Sequence, residues 1–140
     1  MASLSRDTEP ATTGFRMALT ALVVDDSRVS RMIISAMIQD LRPGAWTVEE
    51  AADGAEAIAK ADACKPDLVT LDINMPVMNG FDAAVEIRAR HPFATLVIFS
   101  ANVQASSKAR AEELGIRFIA KPITEAVVRQ ALEAWEAEHG

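Results

Sequence analysis

The stretch LVTLDINMPVMNG, residues 68–80, decides how this chain folds. Leu68 to Leu71 is a short run of strand formers that ends on a carboxylate, Asp72. Pro76 and Gly80 then break the chain with turn chemistry. Apolar residues at consecutive positions, rather than alternate ones, mark a strand covered on both faces. Two further runs read the same way, TALVVD at 20–25 and TLVIFS at 95–100. WTVEEA at 46–51 is more polar and belongs at an edge, and IRFIA at 116–120 is the last strand expected.

Helical patterns separate these runs. In 27–41, Val29, Met32, Ile33, Ala36, Met37 and Leu41 recur at helical spacing; Ser27 is placed to cap the start and Pro43-Gly44 to stop the end. Asp53 opens a second helix over 53–64, with Pro66 beyond it, and Asn79 a third over 79–90, closed by His91-Pro92. The fourth, 104–114, offers Ala105, Ala109, Ala111 and Leu114 before Gly115. The fifth, 124–138, starts at Thr124 with Glu125 in its first turn; its stripe is Ile123, Ala126, Val127, Ala131, Ala134 and Trp135. Alternating strands and helices specify an α/β domain, a doubly wound parallel sheet of five strands with five helices. Right-handed crossovers restrict its topology. Ligands of such sheets bind beyond the carboxyl ends of the strands, where the strand order reverses.

The bulk properties agree with one soluble domain. The chain has 140 residues, half of them hydrophobic, and a formal net charge of −6. The acidic balance argues against nucleic acid as a partner. Cys64 is the only cysteine, so neither a disulfide nor a multi-cysteine metal site forms within the chain. No apolar run approaches the ~18 residues of a membrane span, and the N-terminus has no secretory pattern. The expected location is cytoplasmic. Residues 1–17, rich in Ser, Thr, Gly, Pro and charge, read as a flexible tail, and 18–140 as the domain.

Chemistry gathers at the carboxyl edge. Strand one ends in Asp25-Asp26, strand three in Asp72 and strand four in Ser100, and Lys121-Pro122 follows strand five. Each fragment alone has an ordinary reading: Asp25-Asp26 as an N-cap pair, Asp72 as a turn former, Lys121-Pro122 as a loop. Together they form a crevice of carboxylates, a hydroxyl and an ammonium. Like charges ~4 Å apart repel by about 4 kcal/mol at an effective dielectric near 20. Lys121 offsets one charge and a divalent cation offsets more. Mg²⁺ suits a site of oxygen ligands without His or Cys. Asp72 is then a candidate nucleophile that accepts a phosphoryl group, with the cation, Lys121 and Ser100 stabilising the transferred charge.

The segments VVDDS, LDINMP…NG, FSAN and IAKPI, in this order and on these strand ends, resemble the signatures of response-regulator receiver domains of two-component signalling. The resemblance covers roughly residues 18–138. It implies the flavodoxin-like strand order 2-1-3-4-5. It implies Asp72 as phosphoacceptor and as a metal ligand, Asp26 as direct metal ligand, Asp25 acting on the metal mostly through water, and the backbone carbonyl of Asn74 as a further metal contact. It implies that Ser100 turns toward the phosphoryl group, that Lys121 pairs with it, that Pro122 follows a cis peptide bond, and that Phe118 is the aromatic switch. Phenylalanine lacks the hydroxyl of the tyrosine frequent at that position in chemotaxis-type members.

The function expected is a stand-alone regulator rather than an enzyme. A sensor histidine kinase or histidine phosphotransfer protein phosphorylates Asp72 in the presence of Mg²⁺. The face of helix four, strand five and helix five then changes its binding of an effector protein. A monomer is expected, with a phosphorylation-linked dimer as the variant. A phosphorelay intermediate fits the same residues. An aspartate-nucleophile phosphatase of the haloacid dehalogenase type needs a second Asp two residues after the nucleophile; here Asn74 stands there and cannot transfer a proton. A nucleotide or flavin binder needs a glycine-rich phosphate loop after strand one, where this chain has DDSRVS.

Overall fold

The computed structural model describes residues 18–139, and the structural statements below concern those residues. The tail expected over 1–17, and Gly140, lie outside them. The elements run β1 (Leu19–Val24), α1 (Arg28–Leu41), β2 (Trp46–Ala51), α2 (Gly54–Cys64), β3 (Leu68–Leu71), α3 (Gly80–Arg90), β4 (Thr95–Ser100), α4 (Ala105–Leu114), β5 (Arg117–Ala120) and α5 (Glu125–His139). The strands form one sheet in the order β2-β1-β3-β4-β5, with every neighbouring pair parallel. The more polar β2 lies at an edge, as its sequence requires. No helix among the described residues is long and apolar enough to cross a membrane.

The central strands are buried on both sides, and alternate residues serve two cores. Leu22 and Val24 of β1, with Val69 and Leu71 of β3, face α2, α3 and α4 through Ala57, Ala61, Ala83, Ala84, Ile87 and Ala111. Ala21, Val23, Leu68, Val97 and Phe99 face α1 and α5 through Ile34, Ile38, Val128, Ala131 and Leu132. Burying each such branched side chain stabilises the fold by roughly 1.5–3 kcal/mol. On the second side Trp46 meets Trp135 edge-on at 5.3 Å. Arg42, at the end of α1, holds Glu136 of α5 through two hydrogen bonds of 2.7 and 3.1 Å.

The helix starts follow the expected caps. Ser27, Asp53, Asn79 and Thr124 each accept a backbone N–H three residues ahead. Glu56 accepts the N–H of Ala52, the residue before the Asp53 cap, at 2.7 Å.

The inner faces of three helices differ from the expected stripes. On α1 the buried residues are Ile34 and Ile38, with Met37 and Leu41 packed beside them. Val29, Met32 and Ile33 are exposed instead, at 64, 56 and 39 %. On α4, Ser107 and Ala111 are buried and Leu114 packs nearby, whereas Ala105 and Ala109 face solvent. On α5, Val128, Ala131, Leu132 and Ala134 are buried, Ile123, Val127 and Trp135 pack at the margin, and Ala126 is exposed. Apolar residues on both sides of α1 satisfy a helical period in two ways, and packing against the sheet selects one.

Candidate functional site

The carboxyl edge brings the expected side chains together because backbone pairing continues past the strands. The N–H of Asp25 donates to Ala51 of β2 at 3.1 Å, and that of Asp72 to Val24 of β1 at 3.0 Å. The two aspartates therefore extend adjacent strands and stand side by side. Carboxylate oxygens of Asp25, Asp26 and Asp72 lie within 4.8 Å of one another. Asp25 is 2 % and Asp72 8 % exposed, while Asp26 is open to solvent.

Lys121 reaches this cluster from the far side. Its N–H continues the β4–β5 ladder by donating to the carbonyl of Ser100 at 3.0 Å, and the Lys121-Pro122 peptide is cis. Its Nζ donates to Asp25 Oδ2 at 2.8 Å and to Asp72 Oδ2 at 3.4 Å. Asp25 Oδ1 meanwhile accepts the Ser27 N–H at 2.9 Å. Ser100 is fully buried, and its Oγ accepts the Asn102 N–H at 3.0 Å, which leaves its proton for Asp72.

The charges do not balance. At 4.8 Å each carboxylate pair repels by at least ~3.5 kcal/mol at an effective dielectric near 20. Three negative groups share one ammonium, and the excess is what a divalent cation neutralises. Burial pushes the Asp72 carboxyl above its ordinary range; Lys121 opposes that shift and Asp25 adds to it. For Lys121, burial lowers the affinity for its proton, but the hydrogen bond it donates to Asp25 and the charges of Asp72 and Asp25 outweigh it, so its pKa is raised. Lys121 thus stays an ammonium. The donor set is all oxygen and one member, Asp26, is exposed, which fits Mg²⁺ entering from solvent.

The other expected residues fall around this cluster. Asn74 is exposed in the loop after Asp72, and Asn102 is half-buried in the loop after Ser100. Phe118 is half-buried and packs against the core that faces α2, α3 and α4.

Several contacts that shape the site go beyond what the sequence shows. A Cβ at Gly80 would overlap the carbonyl oxygen of Asp72 and lie 2.8 Å from its carbonyl carbon, so the first turn of α3 rests directly on the Asp72 backbone. A Cβ at Gly54 would lie 2.7 Å from Met78 Cβ, so α2 supports the other end of the same loop. Val77 in that loop is 82 % exposed with φ +71°, a region β-branched residues rarely adopt. Arg31, in the second turn of α1, donates to the carbonyl oxygen of Asp25 at 2.6 Å. Gly80 is visible in the sequence as a turn former; the contact of Arg31 with a backbone carbonyl is not.

Comparison with known proteins agrees with this geometry. Residues 21–133 match the response regulator receiver domain family. A chemotaxis protein CheY of Listeria monocytogenes is 40 % identical over 116 residues, covering 82 % of this chain and 96 % of that protein. The structure of the chemotaxis protein CheY4 of Vibrio cholerae is similar with a TM-score of 0.74 and 30 % identity, over 83 % of this chain and 97 % of that one. A complex of CheX, CheY, BeF3 and Mg²⁺ from Borrelia burgdorferi contains a chain similar at a TM-score of 0.70 and 29 % identity, over 83 % of this chain and 87 % of that one. A single parallel sheet in the order β2-β1-β3-β4-β5, an acidic cluster at its carboxyl edge and a family match over most of the chain lead to one conclusion: this chain belongs to the response regulator receiver domain family.

Proposed function

We propose that this receiver domain accepts a single phosphoryl group on Asp72 and acts as a chemotaxis-type phosphorylation switch. The observation that supports it most is Lys121 Nζ standing 2.8 Å from Asp25 and 3.4 Å from Asp72 in a cluster that remains net negative. Phosphoryl acceptance on an aspartate is general to the family, and the finer assignments are argued from this geometry.

Transfer would begin with an Asp72 oxygen attacking the phosphorus of a phosphohistidine. The new O–P bond forms as the P–N bond breaks, and the departing ring nitrogen keeps the bonding pair, so a phosphohistidine protonated on its other ring nitrogen leaves as neutral imidazole. Asp25, Asp26, Asp72 and the backbone carbonyl of Asn74 would hold Mg²⁺. When bound, it supplies positive charge beside the phosphoryl oxygens. Asp25 already anchors Lys121, so the ammonium is held in place without mobile solvent. The Ser100 hydroxyl, with its lone pair engaged by Asn102, would donate to a phosphoryl oxygen.

The phosphodonor would be a histidine kinase or a histidine phosphotransfer protein. Exposed Val29, Met32, Ile33, Val77 and Val103 lie on α1 and on the two loops that flank Asp72, and offer it an apolar contact rim. The output surface proposed is the face of α4, β5 and α5, which would bind an effector protein. Supporting this, α4 buries only Ser107 and Ala111 along its length and has no side-chain cap at Gln104, the end nearest the site. An element with so few anchors moves at low free energy. Phe118 would change its packing when Ser100 turns. Transfer onward to a histidine phosphotransfer protein uses the same site and differs only in partner.

Acetyl phosphate with Mg²⁺ tests the acceptor. Wild type is expected to gain one hydroxylamine-labile phosphate, and Asp72→Asn none. Label retained in Asp72→Asn, or continuous phosphate release from small phosphomonoesters by the wild type, overturns the reading.

A further inference from the structure

We infer that Arg31, paired with Glu50, is a positioning residue that sets the cation affinity of the acidic cluster by holding the backbone of Asp25. This rests on the proposed metal site and goes beyond it. The carbonyl of Asp25 stands one residue past the end of β1, where the sheet offers it no N–H donor. Its N–H is satisfied by Ala51 of β2, but the carbonyl is satisfied by a side chain, Arg31 Nη1 at 2.6 Å. The same guanidinium donates from Nε to Glu50 Oε1 at 3.0 Å. Glu50 is the residue before Ala51, so one planar group joins α1, the end of β2 and the β1–α1 turn. The Arg31 side chain is 14 % exposed and that of Glu50 40 %.

Arg31 fixes where the turn places both aspartates. Asp25 is then held at three points: its carbonyl by Arg31, Oδ1 by the Ser27 N–H and Oδ2 by Lys121. Asp26 follows directly and has no such hold of its own, so its carboxylate goes where the turn directs it.

A guanidinium close to a cation site opposes cation binding through its charge. Glu50, paired with its Nε at 3.0 Å, offsets that charge. The pair thus supplies a hydrogen bond to the turn without adding net positive charge. Charge alone and positioning consequently predict opposite results for removal of Arg31. Losing a nearby positive charge tightens Mg²⁺ binding; losing the support loosens it.

Mg²⁺ binding measured by calorimetry on the metal-free protein separates the two, with circular dichroism as the check on folding. Arg31→Met is expected to weaken Mg²⁺ binding about tenfold, the lower end of the loss usual for groups that orient metal ligands. The double variant R31M/E50Q keeps the net charge of the wild type and is expected to stay as weak as Arg31→Met. Arg31→Lys keeps a donor for the Asp25 carbonyl and is expected to recover most of the affinity; it also serves if Arg31→Met does not fold. The carbonyl-carbon NMR shift of Asp25 in the metal-free protein should move in Arg31→Met and much less in Arg31→Lys. Wild-type binding with Arg31→Met unchanged or tighter, or an Arg31→Lys as weak as Arg31→Met, overturns the inference alone. A wild type that takes up no Mg²⁺ overturns the metal reading, and this inference with it.

Discussion

Asp72→Asn should make the metal-free protein more stable at pH 7, even though it removes the proposed phosphoacceptor. Asp72 stands within 4.8 Å of two other carboxylates, each repelling it by at least ~3.5 kcal/mol at an effective dielectric near 20. One ammonium, 3.4 Å away, attracts it by ~5 kcal/mol on the same scale. The repulsions exceed the attraction by about 2 kcal/mol, and because Asp26 is exposed and screened, about 1 kcal/mol survives. Desolvation of the buried carboxylate acts in the same direction. Asparagine keeps the shape and an acceptor for Lys121, which retains Asp25 as its charge partner.

The expected gain is 1–2 kcal/mol, roughly 3–6 °C in Tm for a domain of this size. Urea or thermal unfolding in EDTA measures it. The sign of the pH dependence follows from the raised pKa of Asp72. The folded protein holds that proton more tightly than the unfolded chain does. Wild type therefore loses stability as pH rises from the ordinary carboxylate value through the folded one. The variant's advantage is absent below that window and complete above it. Added Mg²⁺ should close or reverse the gap, since binding at a hundred times Kd adds about 2.7 kcal/mol to the form with the full ligand set. If Asp72→Asn is no more stable than wild type in EDTA at pH 7, this electrostatic account is wrong.

Two substitutions on α1 test its inner face. Ile38→Ala should cost 2–5 kcal/mol in denaturant unfolding and Ile33→Ala less than about 0.5 kcal/mol, because only the first leaves a cavity; equal costs would refute the packing described. Gly80→Ala should destabilise by about 3 kcal/mol, since its Cβ would overlap the backbone of Asp72, and the same variant should take up less phosphate per molecule while still folded in the cold. A Gly80→Ala protein with wild-type stability and labelling would show that the contact is not tight.

The elements were legible because continuous apolar runs alternate with helical periods along the chain and turn residues separate them. The site was legible for a related reason: in a parallel sheet every strand delivers its last residue to the same edge, so Asp25, Asp72 and Ser100 had to meet, with Lys121 following β5. The inner face of α1 was not legible. Met32, Ile33, Ile34, Met37 and Ile38 give apolar stripes in two directions, and only the sheet beneath distinguishes them. Arg31 was missed because its partner is a backbone carbonyl, which no side-chain pattern records. The role of Gly80 beyond its turn chemistry was missed because its effect is the absence of a side chain where two backbones approach. The left-handed φ of Val77 was hidden because valine is a poor residue for it.

Contact between Gly80 and the Asp72 backbone gives the site two unequal sides. Toward α3, Asp72 meets main chain directly, with no rotatable bond between them. Toward β4 and β5 it meets a hydroxyl and a long amine, both of which swivel about single bonds. A load applied at Asp72 meets a fixed jaw on one flank and a sprung jaw on the other. The direction in which the molecule yields is thereby chosen before any donor arrives.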